Sequence, residues 1–314
     1  MLAVKYRPQT FADVCGQNVT IQILKNEMCN PQQVYLFIGN SGVGKTTIAR
    51  IFAKMITNDT PLEIDAASNN SVDDIKAVME FATTQPLFGD FRVIILDEVQ
   101  ILSKAAWDSM LKFLEEPPPR TIIMLCTTEP HKVPTTIFSR AESFKLSPVS
   151  KDEIFQRLIY ILQQENITRY EEIAIDYIAR LAEGSLRTAI SMLEKCIHYS
   201  RTLSFENVMA VLGYIELEQL FTLTGYVFSN DKKGIIDTVE QIYNQGKDLN
   251  QFIKQYRMFV LDCLQYYILG RGQANEFNQN DLYRLLEILL TVELKEVNPK
   301  NTILAVLLLY DRTK

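Results

Sequence analysis

The sequence predicts an α/β chain, with a parallel sheet in its first half and helices alone in its second. Three observations carry that reading. From Tyr35 to about Leu146, short β-branched runs alternate with helical patterns, the signature of a parallel sheet flanked by crossover helices. After Pro148 the strand-like runs stop and apolar residues recur at helical spacing. At 314 residues the chain is too long for one small core, so two or three domains are expected. The pattern places them at 1–148, 149–212 and 213–314.

In order, VYLFIG precedes TTIARIFAKMI, PLEIDA precedes VDDIKAVMEFA, RVIILDE precedes KAAWDSMLKFLEE, and TIIMLCTT precedes ESFKL. The middle segment reads as four helices: DEIFQRLIYILQQE, YEEIAIDYIARLAEG, SLRTAISMLEKCIHY and FENVMAVLG. Gly184 and Gly213 are their natural stops, because glycine closes a helix at little steric cost. Five further helical patterns follow, LEQLFTLTGYVF, KGIIDTVEQIYNQG, LNQFIKQYRMFVLDCLQYYILG, DLYRLLEILLTVEL and NTILAVLLLY. Their repeated Leu and aromatic positions read as bundle core or subunit interface rather than a cofactor site.

Bulk properties exclude several classes. Hydrophobic residues at 47% and charged residues at 22% describe an ordinary globular protein. No uninterrupted apolar stretch reaches the roughly 18 residues of a membrane span, so a cytoplasmic protein without membrane partners is expected. The five cysteines (Cys15, Cys29, Cys126, Cys196, Cys263) are scattered without a CxxC pair and read as reduced thiols. A formal net charge of -6 argues against coating nucleic acid by charge alone, while leaving room for a local basic face.

One stretch carries chemistry outright. GNSGVGKT fits the phosphate-binding pattern GxxxxGK[ST], following an apolar strand and opening a helix. Such a loop presents backbone N–H groups to phosphates, here from Gly39, Asn40, Ser41, Gly42, Val43 and Gly44 through Lys45, Thr46 and the adjoining Thr47. Lys45 is expected on the β- and γ-phosphates of ATP, and the Thr46 hydroxyl on Mg2+. A second strand, RVIILDEVQ, ends in Asp97 and Glu98. Strand-terminal carboxylates emerge where ligands bind in an open α/β sheet, so Asp97 can serve the Mg2+ shell and Glu98 can polarise an attacking water. The strand TIIMLCTT delivers Thr127 and Thr128 at its own end, where a hydroxyl can orient water or touch the γ-phosphate, or else cap a helix or turn.

Together these stretches resemble a family. YRPQTFADVCGQ, GNSGVGKTT, EIDAASNNSVDDIK, VIILDEVQILS, LKFLEEPPP, CTTEPHKVPTTIFSR and GSLRTAISMLEK occur in the order seen in AAA+ clamp-loader ATPases, most closely the γ/τ subunits of bacterial DNA polymerase III. The resemblance spans about the first two thirds of the chain. It implies an AAA+ nucleotide-binding domain (1–148), a helical lid domain (149–212) and a helical collar that holds subunits in a ring (213–314). It further implies that Tyr6, Arg7, Pro8 and Val14 lie over adenine and ribose, that Thr128 senses the γ-phosphate, and that Arg187 reaches the phosphates from the lid. Two departures stand out. Most γ/τ subunits carry a cysteine-rich zinc module before the DAAS strand, whereas FAKMITNDTPLEIDAAS offers no cysteine, so no zinc is expected. The chain also stops near the collar's expected end, without the long τ-type extension, as a compact loader would.

By the same resemblance, ATP binding assembles a ring that opens a sliding clamp and grips primer–template DNA, and hydrolysis releases both. Lys76, Lys104 and Lys112 are candidates for tracking DNA phosphates, with plain solvated lysines as the other reading. Leu87 and Phe88, in the loop TQPLFGDF, are candidates for contacting the clamp, or for tucking into their own core. Two other functions stay open: a non-hydrolysing structural subunit of the same ring, and another DNA-associated AAA+ ATPase acting in recombination or branch migration. Arg140 completes the set. It lies in TTIFSRAESF between two apolar runs, with no local partner for an always-charged group. The family's SRC motif, here SRA with Ala141 in the cysteine's place, implies that Arg140 is an arginine finger for the neighbouring subunit's nucleotide.

Overall fold

The strand–helix alternation builds a five-stranded parallel sheet, seen in a computed structural model that describes residues 1–57, 60–84, 91–268, 277–291 and 299–310. Two short N-terminal helices, α1 (Leu2–Lys5) and α2 (Asn18–Glu27), precede it. Then come β1 (Val34–Ile38), α3 (Lys45–Ile56), β2 (Leu62–Asp65), α4 (Val72–Thr83), β3 (Arg92–Asp97), α5 (Lys104–Glu115), β4 (Thr121–Thr127), α6 (Thr135–Phe138) and β5 (Glu142–Lys145). The strands lie in the order β2-β3-β4-β1-β5. Helices α1, α2 and α6 have no counterpart in the pattern read from the sequence. The two of four residues are too short to show a helical period, and α2 lies before the alternation starts.

Period-two side-chain alternation divides the sheet into two apolar faces. Tyr35, Phe37, Val93, Ile95, Ile122, Met124 and Cys126 point one way, into a core shared with Ile48 and Phe52 of α3. Val34, Leu36, Ile94, Leu96, Ile123 and Leu125 point the other way, against Ile75 of α4 and Trp107 and Met110 of α5. Burial on both faces explains why these strands read as continuous apolar runs.

The first compact unit, Met1–Phe205, continues through α7 (Lys151–Gln164), α8 (Glu172–Leu181) and α9 (Leu186–Tyr199). Serines set the helix starts: the side chains of Ser71, Ser103, Ser150 and Ser185 accept a backbone N–H in the first turn of α4, α5, α7 and α9. Gly184, at φ +83°, holds the left-handed conformation between α8 and α9.

The second unit, Glu206–Lys314, holds helices and their connecting turns, with no strand among its described residues. It takes most of α10 (Phe205–Leu212), then α11 (Leu217–Ser229), α12 (Lys232–Asn244), α13 (Leu249–Ile268), α14 (Gln279–Thr291) and α15 (Pro299–Leu308). Leu220, Leu223, Val239, Phe252, Val260, Leu285 and Ile303 fill its core, where the Thr224 hydroxyl donates to the buried Tyr256 hydroxyl at 3.1 Å. No helix among the described residues is long and apolar enough to cross a membrane.

Candidate functional site

Three adjacent strands, β3, β4 and β1, end level with one another: Ile38 pairs with Thr127, and Leu96 with Leu125. Their carboxyl ends therefore bring the Gly39–Thr46 loop, the Asp97–Glu98 pair and Thr127–Thr128 to one edge, where open α/β sheets bind ligands. A cleft of about 370 Å³ opens there, lined by the loop, Asp97, Glu98, the N-terminal segment and the start of α9.

Glycine is needed where this loop turns. Gly42 and Gly44 have φ of +79° and +108°, which side chains resist. A Cβ on Gly42 would also stand 2.2 Å from the Ser185 hydroxyl. Lys45 is 5% exposed, and its ammonium donates to the Gly39 and Asn40 carbonyls at 2.9 and 3.0 Å. Burial draws its pKa below the usual lysine range, against the opposing pull of Glu98 and Asp97. The Thr46 hydroxyl donates to Asp97 Oδ2 at 2.6 Å, and Asp97 Oδ1 accepts the Glu98 N–H at 3.0 Å. A hydroxyl and a carboxylate in contact at a cleft wall are the hard oxygen donors that Mg2+ takes alongside phosphate, so these residues fit that ion. The cradle also fits phosphate: around Gly44 even an added Cβ would meet no atom within 4 Å.

Glu98 has a left-handed backbone, φ +53°, a costly state for a residue with a side chain. It opens a 3-10 turn, Val99–Ile101. Gln100 in that turn donates from Nε2 to Glu98 Oε2 at 2.6 Å and to the Thr128 hydroxyl at 2.9 Å. The Thr128 hydroxyl in turn donates to Glu98 Oε2 at 3.2 Å. Thr127 supplies the turn cap, its hydroxyl accepting the Glu129 N–H at 3.1 Å. Thr127 thus fits the turn-cap reading of a hydroxyl at the end of β4, while the Thr128 hydroxyl lies against Glu98.

The rim comes from distant sequence. Tyr6, Arg7, Pro8 and Val14 line the cleft. Tyr6 is tied to α7, its hydroxyl donating to Glu165 at 2.5 Å and its carbonyl accepting Arg157 at 2.9 Å. Arg187 lines the cleft from the first turn of α9, whose Leu186 N–H donates to the Gly42 carbonyl at 3.2 Å. Arg50 of α3 also lines it and makes a two-pronged ion pair with Glu63 of β2.

Other candidates lie elsewhere. Gly39, Asn40 and Thr128 do not themselves line the cleft; the first two give their carbonyls to Lys45, and the Thr128 hydroxyl bonds to Glu98, which does line it. Lys76 on α4 and Lys104 and Lys112 on α5 are exposed, with Lys76 3.6 Å from Asp73. Leu87 and Phe88 lie outside the described residues. Arg140 does not line the cleft of its own chain. It does have a partner in its own chain: the guanidinium donates to the Thr136 carbonyl and to Glu115 Oε1, both at 2.9 Å. Among the described residues no group of three or more His, Cys, Asp and Glu side chains is placed to hold a metal ion. Sequence reasoning passed over Gln100, Arg50, Glu63 and Glu165. Only Gln100 carried a local signal, as a polar residue on the turn that follows the carboxylate pair.

Residues 58–150 match the family model of the DNA polymerase III delta subunit. Residues 153–202 match the ATPase lid domain of the DNA polymerase III clamp loader subunit, and residues 203–298 match domain III of DNA polymerase III subunits gamma and tau. The chain is 33% identical over 287 residues to DNA polymerase III subunit tau of Bacillus subtilis, covering 83% of this chain and 51% of that one. It is 37% identical over 272 residues to the tau subunit of Escherichia coli, covering 78% and 42%. With the DNA polymerase III subunit gamma of Buchnera aphidicola from Acyrthosiphon pisum it shares 32% identity over 286 residues, covering 83% and 79%. The chain thus spans about half or less of the two tau subunits and most of the Buchnera gamma subunit. Among solved structures, the Thermotoga maritima RuvB Holliday junction branch migration motor aligns with a TM-score of 0.57 at 18% identity, over 71% of this chain and 79% of that one. That likeness is one of fold.

Proposed function

Because the chain belongs to the γ/τ family of DNA polymerase III clamp-loader subunits, we propose that it is an ATPase subunit of a clamp-loading ring. In this reading it helps open a sliding clamp, set it on primer–template DNA and release both when ATP is hydrolysed. The observation that carries the proposal is the meeting of Lys45, Thr46, Asp97 and Glu98 at one cleft, in a chain of this family.

Each residue then has a task. The Gly39–Thr47 backbone cradles the phosphates, and Lys45 trades its two carbonyl partners for phosphate oxygens, a stronger charge-assisted contact. Thr46 and Asp97 would hold Mg2+, which supplies charge neutralisation on the phosphates. Glu98 accepts the proton of the attacking water. Thr128 faces the γ-phosphate, Tyr6, Arg7, Pro8 and Val14 bound the base and ribose, and Arg187 approaches from the 149–212 lid. Arg140 serves a neighbouring subunit, with 213–314 as the collar that brings the subunits together. Lys76, Lys104 and Lys112 face DNA phosphates, and Leu87 and Phe88 face the clamp.

The match of residues 58–150 to the delta subunit model favours a second reading, a ring subunit that does not hydrolyse. The complete set of Lys45, Thr46, Asp97 and Glu98 argues for hydrolysis. The test is ATPase activity of the reconstituted ring with and without cognate clamp and primed DNA. A rate that rises when both are added supports the proposal; a rate indifferent to both, or activity untouched by Glu98→Gln in this subunit, overturns it.

A further inference from the structure

We propose that Gln100 is a positioning residue for hydrolysis: it aims the Thr128 hydroxyl proton at the nucleotide and holds Glu98 in place once that proton is given away. This rests on the roles proposed above for Glu98 and Thr128. The protons at this junction can be counted. Gln100 Oε1 accepts the Thr127 hydroxyl at 2.8 Å and receives the Thr128 N–H at 3.4 Å. That fixes the amide orientation, because the flipped amide would set its oxygen against the Glu98 carboxylate and its N–H groups against the Thr128 N–H. Both Nε2 protons are therefore committed, one to Glu98 Oε2 and one to the Thr128 hydroxyl oxygen.

Thr128 has a single hydroxyl proton, which here goes to Glu98 Oε2. It cannot serve Glu98 and a γ-phosphate together. When the proton turns to phosphate, Glu98 Oε2 loses one of its two donors, and Gln100 remains to keep the carboxylate from swinging. The second Nε2 proton still occupies a lone pair of the Thr128 oxygen, so the hydroxyl proton points away from Gln100 and stays free to turn between Glu98 and a phosphate oxygen. The platform beneath is rigid: Val99 and Leu102, on either side of Gln100, are buried in the core between the sheet and α5. A side chain on this turn thus joins the group that meets the γ-phosphate to the group that takes the proton from water.

The test uses the assembled ring, measuring ATP affinity and single-turnover hydrolysis in parallel. Gln100→Leu removes the donors at similar volume. Gln100→Glu keeps the shape and the acceptor but turns an acceptor toward Glu98. Hydrogen bonds to charged groups set the scale, so hydrolysis should fall roughly ten- to a hundredfold in Gln100→Leu and at least as far in Gln100→Glu, with ATP affinity within about twofold of the parent. Combined with Thr128→Val, Gln100→Leu should lose less than the product of the two single losses, because the two side chains act as a unit. Parental hydrolysis in Gln100→Glu, or affinity and rate falling together with the melting temperature, would overturn the inference. Glu98→Gln run alongside separates the two readings. If it hydrolyses normally, the role of Glu98 is wrong; if it is inactive while both Gln100 variants are normal, the inference about Gln100 alone fails.

Discussion

The cleft and the α5–α6 surface each set a cation against oxygen acceptors, in opposite ways. In the cleft, Lys45 is buried and held by two carbonyls, Thr46 is locked to Asp97, and Glu98 is bonded by two side chains on a strained backbone. Lys45, Asp97 and Glu98 are each held by two hydrogen bonds from the chain itself. On the α5–α6 surface, Arg140 follows a helix of four residues and rests on one carbonyl and on Glu115, a carboxylate 55% exposed. Exposed pairs of this kind contribute about 0–1 kcal/mol. The cleft residues find close partners within their own chain, while Arg140 can let go of its partner at small cost.

The sharpest test of that contrast is Arg140→Ala. In the assembled ring it should lower stimulated hydrolysis by roughly 10³ or more, the scale of an arginine finger, and leave ATP binding to the isolated chain unchanged. Equal losses in ring and isolated chain would erase the distinction between the two regions. Next in size is Glu98→Gln, expected to cost roughly 10² to 10⁴ in rate with ATP still bound, as seen by nucleotide retention beside single-turnover hydrolysis. Smaller again is Ser185→Ala. Losing the hydroxyl that accepts the Thr188 N–H at 3.3 Å should cost about 1 kcal/mol in thermal or denaturant unfolding. It should also weaken ATP binding severalfold, because α9 carries Arg187 and its first N–H rests on Gly42. An unchanged affinity would detach the lid from the cleft.

What the sequence disclosed divides along the same line. The strands, the long helices and the phosphate loop were legible because their signals are local: a period of two, a period near 3.6, and a motif set between strand and helix. Asp97 and Glu98 were legible because a strand must end somewhere, and parallel sheets bind ligands at those ends. The pairings were not legible. Gln100 meets Thr127 and Thr128 only because β3 and β4 are neighbours in the sheet, Tyr6 meets Glu165 across 159 residues, and Glu115 meets Arg140 across 25 residues that include β4. No local pattern encodes such meetings. The arginine of TTIFSRAESF therefore found a backbone carbonyl within that stretch, at Thr136, and a charge partner outside it, at Glu115 in LEEPPP.

That pairing gives the smallest expected effect and the finest test. If Glu115 merely parks Arg140 until a second chain arrives, Glu115→Ala should leave kcat in the assembled ring within about twofold. It should lower the subunit concentration at half-maximal stimulation by up to about fivefold, the range an exposed ion pair can account for. Stability of the isolated chain should change by less than about 0.5 kcal/mol, as surface substitutions do. If Glu115 instead aims the guanidinium, kcat should fall while the half-maximal concentration stays put. The two outcomes move different parameters, so one titration of ring activity against subunit concentration decides between them. Arg140→Ala in the same series sets the floor: with the guanidinium gone, Glu115→Ala should have nothing further to change.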